Sequence, residues 1–370
     1  MTMKKMLLAA AAFVCMSSAV FAQYEYKFTV VKENPATPVK NQAKTGTCWC
    51  FATISFLESE LIRMGKGEHD LSEMYIVRQN YNRRMADNYL RRGKGNVNPG
   101  SISHMCTYAV KHFGLIPEEA YPGINYNSET HNHNELSSYV KLLSAEAIKN
   151  QKRIPAELQE GLFDAFLGKV PQTFTYQGKE YTPQSFAASL GLNMDDYVEI
   201  TSFSHHPFYE QIIVEIPDNW DFGKHYNVPL DDMMAIIDNA IMKGYTVAWD
   251  GDISEQSYDF NVNKVAIQSK DTLKNRVLKT RPVEDEVTQE SRQADFENFT
   301  TVDDHLEHIT GIAKDEEGVK YYITKNSWGL KRNGTGYHNM SVNYVKAKTI
   351  GIMVHKNSIP KATKAKLGIK

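Results

Sequence analysis

Apolar residues recur at intervals of three and four in several stretches of this chain, which is the spacing of one buried helical face. The first such stripe consists of Phe51, Ile54, Leu57, Leu61 and Met64. Similar spacing, with many Tyr and Arg residues, extends over 71–90, and further stripes cover 105–112 and 231–243. The pattern therefore predicts helices in these four stretches.

The pattern near the end of the chain indicates strands instead. Segments 303–313 and 319–325 are separated by a short turn at 315–318, and another strand is predicted over 245–249. Two antiparallel strands joined by a turn bring the residues at their outer ends side by side. We therefore expect an α+β protein with a helical half followed by a β-rich half.

Length, composition and charge fit a globular protein and favour no special partner. The chain has 370 residues, of which 42% are hydrophobic, with 42 Lys and Arg against 44 Asp and Glu. That length suits one large or two modest domains. The near balance of charge gives no reason to expect nucleic acid or a membrane surface as a partner.

The first residues have the composition of a targeting segment. Lys4 and Lys5 precede the apolar run 6–16, and Ala22 ends a stretch of small residues suited to a signal peptidase. We predict a signal peptide over 1–22 and an exported protein. The apolar run is too short to span a bilayer, so no membrane association is expected after cleavage.

Cys48 is the first candidate for chemistry, because it lies where a loop becomes the first predicted helix. The unpaired N–H groups and the positive dipole there favour a thiolate, which is the nucleophilic form. Gln42, six residues upstream, is near enough to help the Cys48 N–H bind an oxyanion. The alternative is a small buried cysteine, and that is how we interpret Cys50.

The pattern Gln-x5-Cys-Trp-x-Phe at a helix start resembles the active-site segment of papain-like cysteine peptidases, as does the later Asn-Ser-Trp-Gly. The resemblance implies that Cys48 is the nucleophile and that His305 is its general base. It also implies that Asn326 orients the imidazole and that Trp328 shields their hydrogen bond. His308 is the competing histidine, but it is expected to face the other side of its strand.

Other positions of the resemblance are less regular. Gly100 lies in the glycine-containing turn that lines the cleft in that family, so it is expected to bind substrate, although Pro99 replaces a common glycine. Glu307 stands where relatives carry an apolar residue. A carboxylate there would either raise the pKa of the imidazole or bind the amino group of the substrate, and the sequence does not choose between them.

A second resemblance covers the middle of the chain. The interval from Cys48 to His305 is far longer than the roughly 130–150 residues of simple papain-type enzymes. The extra segment is similar to the bleomycin hydrolase and bacterial aminopeptidase C branch. The similar stretches are 181–186, 190–193, 195–202, 206–209 and 227–230.

This resemblance implies a papain-like, two-lobed fold with a large inserted segment. The predicted divisions are the signal peptide 1–22, a helical lobe 23–136, a mainly helical insertion 137–244, a β-rich lobe 245–358 and a C-terminal tail 359–370.

The implied function is thiol-dependent hydrolysis of peptide bonds, with removal of residues from peptide N-termini as the expected activity. A papain-type endopeptidase, a transferase using the same triad and an inactive peptide-binding homologue are the alternatives. Peptides are the expected partners, and the resemblance implies a homo-oligomer, a hexamer in that branch. No cofactor is expected.

Two further expectations concern the histidine pairs and the tail. His131 with His133, and His205 with His206, lie in polar loops without nearby cysteine, so we predict solvated side chains and no metal. Since only a short segment separates the predicted cleavage site from Gln42, we expect no inhibitory pro-segment. In the resembling branch the C-terminal arm lies in the cleft, and we expect the polar tail here to reach it and bind the ammonium of the substrate.

Overall fold

The computed structural model describes residues 23–126 and 128–370, so the predicted signal peptide lies outside the described residues. The chain forms a helical lobe and a β lobe, each with its own large hydrophobic core. The expected α+β architecture is confirmed, because the early helices and the late strands fall where the periodicity predicted them.

The helical lobe is organised around its first helix, which is buried along almost its whole length. Its elements are α1 Cys48–Arg63, α2 Glu73–Leu90, α3 Ser103–Phe113, α4 Asn134–Lys149, α5 Ala156–Leu167, the hairpin β2 Phe174–Tyr176 with β3 Lys179–Tyr181, and α6 Pro183–Leu190. Ser72 caps α2 by accepting a hydrogen bond from the Tyr75 N–H. Glu58, buried in α1, binds the Leu71 N–H and Lys40, which ties the preceding segments to this helix.

The β lobe is built on one large mixed sheet in which strands distant in sequence are neighbours. Its strands are β1 Thr29–Glu33, β4 Tyr197–Thr201, β5 Gln211–Ile213, β6 Lys224–Asn227, β7 Val247–Gly251, β8 Tyr258–Asp259, β9 Val265–Ala266, β10 His305–Lys314, β11 Lys320–Lys325, β12 Tyr337–Ser341 and β13 Thr349–His355. Its helices are α7 Leu230–Met242, α8 Gln289–Glu297, α9 Val342–Lys348 and α10 Lys361–Lys366. The order along the sheet is β5-β6-β4-β13-β7-β10-β11-β12-β9-β8, and β1 also pairs with β10.

The two lobes meet where α1 packs against the sheet. Leu306 of β10 and Ala248 of β7 point into the core of the helical lobe, so one face of these strands covers α1. His305 is the first residue of β10, and Cys48 is the first residue of α1. The packing therefore brings the first residues of α1 and β10, which are far apart in sequence, to the same junction between the lobes.

Two predicted divisions do not match the lobes. Residues 23–39 were assigned to the helical lobe, but β1 pairs with β10 and belongs to the β lobe. The segment 137–244 was predicted as one mainly helical insertion. Its first part, including Phe163 and Phe186, joins the helical core, whereas β4 pairs with β13 and α7 packs in the β-lobe core. The segment divides because each part buries its apolar face on the nearer lobe.

The C-terminal tail also differs from the prediction. It forms α10, and Leu367 and Ile369 after that helix pack into the β-lobe core. Ser358 accepts a hydrogen bond from Asn239 of α7, and Lys366 lies beside Asp232 of the same helix. The expectation that the tail is too polar to pack, and instead reaches the cleft, is therefore wrong for this structure. Two apolar residues of the tail thus join the β-lobe core.

Among the described residues, no helix has the length and hydropathy needed to cross a bilayer.

Candidate active site

Cys48 opens α1, as the sequence predicted, and its side chain is partly exposed at the junction between the lobes. Thr47 precedes it as N-cap without a side-chain hydrogen bond, while the Thr47 carbonyl accepts from the N–H groups of Cys50 and Phe51. The first N–H groups of a helix have no partner within the helix. The sulfur therefore lies at a helix end that offers N–H donors.

The thiol itself is less acidic than the sequence led us to expect. Burial raises the pKa of Cys48 to about 12, and the carboxylates of Asp303, Asp250 and Asp218 raise it further, while the Leu306 backbone opposes them. Desolvation of the sulfur thus opposes the thiolate that the helix N-terminus favours.

His305 is oriented by Asn326. The Nε2 atom of His305 lies 3.0 Å from Oδ1 of Asn326, and both side chains are buried. The Trp328 ring lies over the imidazole with 5.0 Å between ring centres, which shields this hydrogen bond from water. No hydrogen bond occupies Nδ1 of His305 among the described residues. That nitrogen is thus the one able to take a proton from a thiol.

The orientation of Asn326 is itself determined by Glu307. Nδ2 of Asn326 donates to Glu307 Oε1 at 2.6 Å and to the Tyr258 hydroxyl at 3.0 Å. His338 Nε2 lies 2.5 Å from the other oxygen of Glu307. Because a carboxylate only accepts, the amide nitrogen must face Glu307, and the amide oxygen must face His305.

This arrangement also selects the tautomer of His305. An amide oxygen facing Nε2 accepts a proton from it, which leaves the lone pair on Nδ1. Burial lowers the pKa of His305, and the nearby Glu307 carboxylate acts against that shift. The imidazole is therefore held neutral and ready to act as a base.

The competing histidine faces away from this site. His308 Nδ1 lies 2.9 Å from the Ser55 hydroxyl of α1, and burial lowers the pKa of His308 well below its usual range. Its position on the opposite face of β10 follows from the alternation of side chains along a strand.

Gln42, six residues before Cys48 in the chain, is firmly oriented, with 6% of its surface exposed. Its Nε2 donates to the Thr45 carbonyl at 2.9 Å, and its Oε1 accepts from the Ser327 hydroxyl at 2.6 Å. The amide nitrogen carries two protons, so one stays available for an oxyanion. The role of Ser327 was missed by the sequence analysis, although it lies inside the Asn-Ser-Trp-Gly motif.

Gly100, which the sequence predicted to bind substrate, is partly occupied by contacts within the protein. Its carbonyl accepts a hydrogen bond from Arg84, and the Asp218 carboxylate lies against its Cα, where any side chain would collide with it. Trp220 Nε1 donates to the hydroxyl of the next residue, Ser101, at 3.2 Å. Asp218 therefore lies on Gly100, which was expected to bind substrate.

The other two cysteines lie in the core. Cys50 and Cys106 are fully buried free thiols that contact each other, and the Cys50 sulfur lies 3.3 Å from the Glu73 carbonyl. Cys50 therefore has the structural position predicted for it.

The predicted solvation of the first histidine pair is wrong. His133 is 2% exposed and packs beside Tyr81, and burial lowers its pKa to about 3. His131 packs against Phe51, and burial lowers its pKa to about 4. Both rings are therefore neutral packing elements of the helical lobe.

The second histidine pair belongs to the one group in the described residues with metal-ligand geometry. Ligand atoms of His205, His206 and Glu215 lie within 4.8 Å of one another. Glu215 is hydrogen-bonded to both rings, and Gln293 donates to Nδ1 of His205. That donation leaves the proton of His205 on Nε2, facing Glu215. Hydrogen bonds thus join these three side chains, which lie at the surface or are partly exposed.

Comparison with known proteins identifies the family to which this chain is similar. The model of the Peptidase C1-like family matches residues 78–369, which include His305 and Asn326. Aminopeptidase G of Lactobacillus delbrueckii subsp. lactis is 23% identical, covering 89% of this chain and 83% of that protein. Aminopeptidase E of Lactobacillus helveticus is 24% identical, covering 86% and 81% respectively. Aminopeptidase C of Lactococcus lactis subsp. cremoris is 23% identical, covering 86% of this chain and 81% of that protein.

A solved structure shows the same fold. The crystal structure of PepW from Lactobacillus rhamnosis HN001 superposes with a TM-score of 0.69 at 18% identity, covering 92% of this chain and 84% of that chain. The predicted papain-like, two-lobed fold is confirmed.

Proposed function

This chain belongs to the Peptidase C1-like family, and we propose that it is a cysteine aminopeptidase that works through Cys48, His305 and Asn326. The observation that carries the proposal is the buried hydrogen bond of 3.0 Å between His305 Nε2 and Asn326 Oδ1, next to the helix that Cys48 opens. It leaves a basic nitrogen directed away from Asn326 and a nucleophile at a donor-rich helix end.

The proposed reaction starts from a neutral thiol and a neutral imidazole. When the substrate carbonyl reaches Cys48, Nδ1 of His305 takes the thiol proton as the sulfur attacks the carbonyl carbon. The Cys48 N–H and Gln42 Nε2 hold the resulting oxyanion. His305 then gives its proton to the leaving amine as the carbon–nitrogen bond breaks, and water hydrolyses the thioester with His305 again as base.

Two observations support removal of N-terminal residues over internal cleavage. The relatives named above are aminopeptidases G, E and C. In addition, the Asp218 carboxylate lies against Gly100, where a longer peptide would otherwise extend along the cleft. Because Gly100 is covered, the cleft favours substrates whose N-terminus lies close to the cleaved bond.

The decisive experiment compares two cysteine variants on two substrates. We expect wild type to hydrolyse leucyl-aminomethylcoumarin and to hydrolyse its N-acetyl derivative poorly. Cys48→Ala abolishes turnover and labelling by an epoxide probe, while the matched Cys50→Ala variant retains both. A probe found on Cys50, or equal turnover of both substrates, contradicts the proposal.

We further propose that the protein is exported after cleavage behind Ala22, because of the basic, apolar and small-residue succession in 1–22. Mass spectrometry of the protein from a cell-envelope fraction tests this, and an intact N-terminus on protein retained in the cytoplasm contradicts it.

A further inference from the structure

A pocket lies beside the loop that leads to Cys48, and the proposed proton transfers do not use it. Its volume is about 570 Å³, within the range of ligand pockets in proteins. It lies between this loop and the first turns of α4. Its lining includes Lys44, Gly46, Pro99, His133, Ser137 and Lys141. We call this cavity the α4 pocket.

Short contacts place one end of the α4 pocket next to Cys48. Gly46 is two residues before Cys48, so their Cα atoms are at most about 7.6 Å apart. Gly46 packs on Pro99, because a Cβ added to Gly46 would lie 2.7 Å from the Pro99 ring. The indole of Trp49 in α1 donates to the Pro99 carbonyl at 3.1 Å. The pocket therefore begins within side-chain reach of a carbonyl bound at Cys48.

The same loop is hydrogen-bonded to the start of α4. The Lys44 N–H donates to the His131 carbonyl at 3.1 Å, and the Lys44 carbonyl accepts from the His133 N–H at 3.0 Å. His133 is the N-cap of α4, and its side chain makes no capping hydrogen bond. The start of α4 therefore supplies N–H groups and the positive end of a helix dipole, which favour an anion.

The side chain of His133 has hydrogen-bonding capacity that the described protein leaves unused. The residue is 2% exposed, and neither Nδ1 nor Nε2 has a hydrogen-bond partner among the described residues. Buried polar atoms without a partner are unusual and call for an explanation. His133 is also the one buried residue among the described residues that line the α4 pocket. A ligand that enters this pocket can supply the missing partner.

The charge of the pocket determines the kind of ligand. Lys44 and Lys141 are exposed, and neither forms an ion pair with another described residue. No carboxylate is among the described residues of the lining. Glu135, in the first turn of α4, lies outside the lining and accepts from the Tyr139 hydroxyl at 3.1 Å. Two ammonium groups without an opposing carboxylate attract a negatively charged ligand.

The position of the α4 pocket determines which part of a substrate meets it. In the proposed reaction His305 gives its proton to the leaving amine, so the leaving group lies on the β-lobe side of Cys48. The residue that keeps the attacked carbonyl then lies on the side of the helical lobe, where the α4 pocket begins. In an aminopeptidase this is the N-terminal residue of the substrate, and its side chain is the part that enters the pocket.

We propose that the α4 pocket binds the side-chain carboxylate of an acidic N-terminal residue, so that peptides beginning with glutamate or aspartate are the preferred substrates. Lys44 and Lys141 attract the carboxylate, and His133 donates a hydrogen bond to it at the start of α4. This assignment rests on the proposed function and deepens it, since it names the class of substrate.

The first test compares glutamyl-aminomethylcoumarin with glutaminyl-aminomethylcoumarin, which differ in charge and hardly in shape. In wild type, kcat/KM should be about tenfold higher for the glutamyl substrate. Lys141→Gln should lower the glutamyl value by about 3- to 10-fold, since this lysine is exposed, and should leave the glutaminyl value unchanged. Lys149→Gln removes an exposed lysine from the other end of α4 and should resemble wild type. Equal wild-type values for the two substrates, or equal losses on both, overturn the proposal.

Two further variants test the buried histidine and the sign of the charge. In His133→Asn the new side chain is a favourable N-cap, so the fold should persist, which denaturant unfolding checks. Its ratio of glutamyl to glutaminyl kcat/KM should fall, whereas a purely structural role of His133 would leave this ratio unchanged. Lys141→Glu should also lower the ratio and should raise kcat/KM for lysyl-aminomethylcoumarin. A wild-type ratio in either folded variant overturns the proposal.

A binding measurement separates this inference from the proposed function. Calorimetry with full-length Cys48→Ala protein compares Glu-Gly-Gly with Gln-Gly-Gly, each with and without Lys141→Gln. A preference for Glu-Gly-Gly that depends on Lys141 supports the α4 pocket even if wild type hydrolyses no peptide. Absence of that preference overturns the assignment even if turnover is found.

A further pair of peptides distinguishes the source of the carboxylate. Leu-Gly-Gly and its C-terminal amide differ only in the terminal carboxylate. If binding of the free acid depends on Lys141 as strongly as binding of Glu-Gly-Gly does, the α4 pocket binds a peptide C-terminus, and the assignment to the N-terminal side chain is wrong.

Discussion

Glu307 accepts a hydrogen bond of 2.6 Å from the side chain of Asn326, and the exposed fractions of the two residues are 1% and 2%. The sequence left two roles open for this carboxylate. The structure places it behind Asn326 and 3.7 Å from His305 Nε2, so it positions the asparagine and acts on the imidazole. Its bonds to Tyr258 and His338 leave it unsuited to holding a substrate amino group.

Glu307→Gln should lower kcat by about 10- to 100-fold with little change in KM, because a neighbouring amide no longer forces the Asn326 oxygen toward His305. The matched variant Tyr258→Phe leaves the hydrogen bond between Glu307 and Asn326 in place, so its kcat should fall by less. Steady-state kinetics of both variants measure this. A larger loss in Tyr258→Phe would show that the hydroxyl orients Asn326.

The same substitution predicts a change in pH dependence. The Glu307 carboxylate holds the pKa of His305 up against the lowering effect of burial. Activity requires neutral His305 and is lost as pH falls through that pKa. Removing the charge lowers this pKa further, so the acidic limb of the kcat/KM profile should move to lower pH in Glu307→Gln. A shift to higher pH would contradict the proposed electrostatic effect.

The raised pKa of Cys48 predicts slow alkylation in the absence of substrate. With a thiol pKa of about 12, the thiolate fraction rises about tenfold for each pH unit through neutrality. The rate of iodoacetamide modification in Cys50→Ala protein should follow that rise. A rate that is already constant between pH 5 and 8 would indicate a thiolate–imidazolium pair in the free enzyme instead.

The hydrogen bond from Ser327 to Gln42 predicts a graded effect on oxyanion binding. Gln42→Ala removes the proposed donor and should lower kcat by about 100- to 1,000-fold. Ser327→Ala removes only the hydrogen bond that orients the Gln42 amide, and it should lower kcat by about tenfold. Both variants should retain epoxide labelling at Cys48. Unchanged kcat in Gln42→Ala would remove Gln42 from the proposed site.

The packed tail predicts an effect on stability and none on specificity. Leu367→Ala should lower the free energy of unfolding by about 2–3 kcal/mol, because a buried side chain is lost from the core. The exposed neighbour Lys366 is the control, and Lys366→Ala should leave the free energy of unfolding nearly unchanged. Denaturant unfolding measures both. If Leu367→Ala alters the preference between free and N-blocked substrates, the tail takes part in substrate recognition and this prediction is wrong.

Much of the site was predictable because its signals are local. Helical spacing after Cys48 located α1, and the turn between β10 and β11 placed His305 beside Asn326. The partners Tyr258 and His338 carry no comparable signal, since each reaches Glu307 from a strand outside that hairpin. The hexamer implied by the family resemblance is not tested by these observations and stays a prediction.

By itself, the sequence determined the family, the helix that Cys48 opens, and the histidine and asparagine that meet across a hairpin. The helix and the hairpin follow from periodicity and spacing between residues close in the chain, and the family follows from the resemblance of short motifs. Tertiary structure decided the raised pKa of Cys48, the orientation of Asn326 by Glu307, the cover on Gly100 and the docking of the tail. Desolvation and contacts between distant segments control these properties, and both arise only when the lobes pack together.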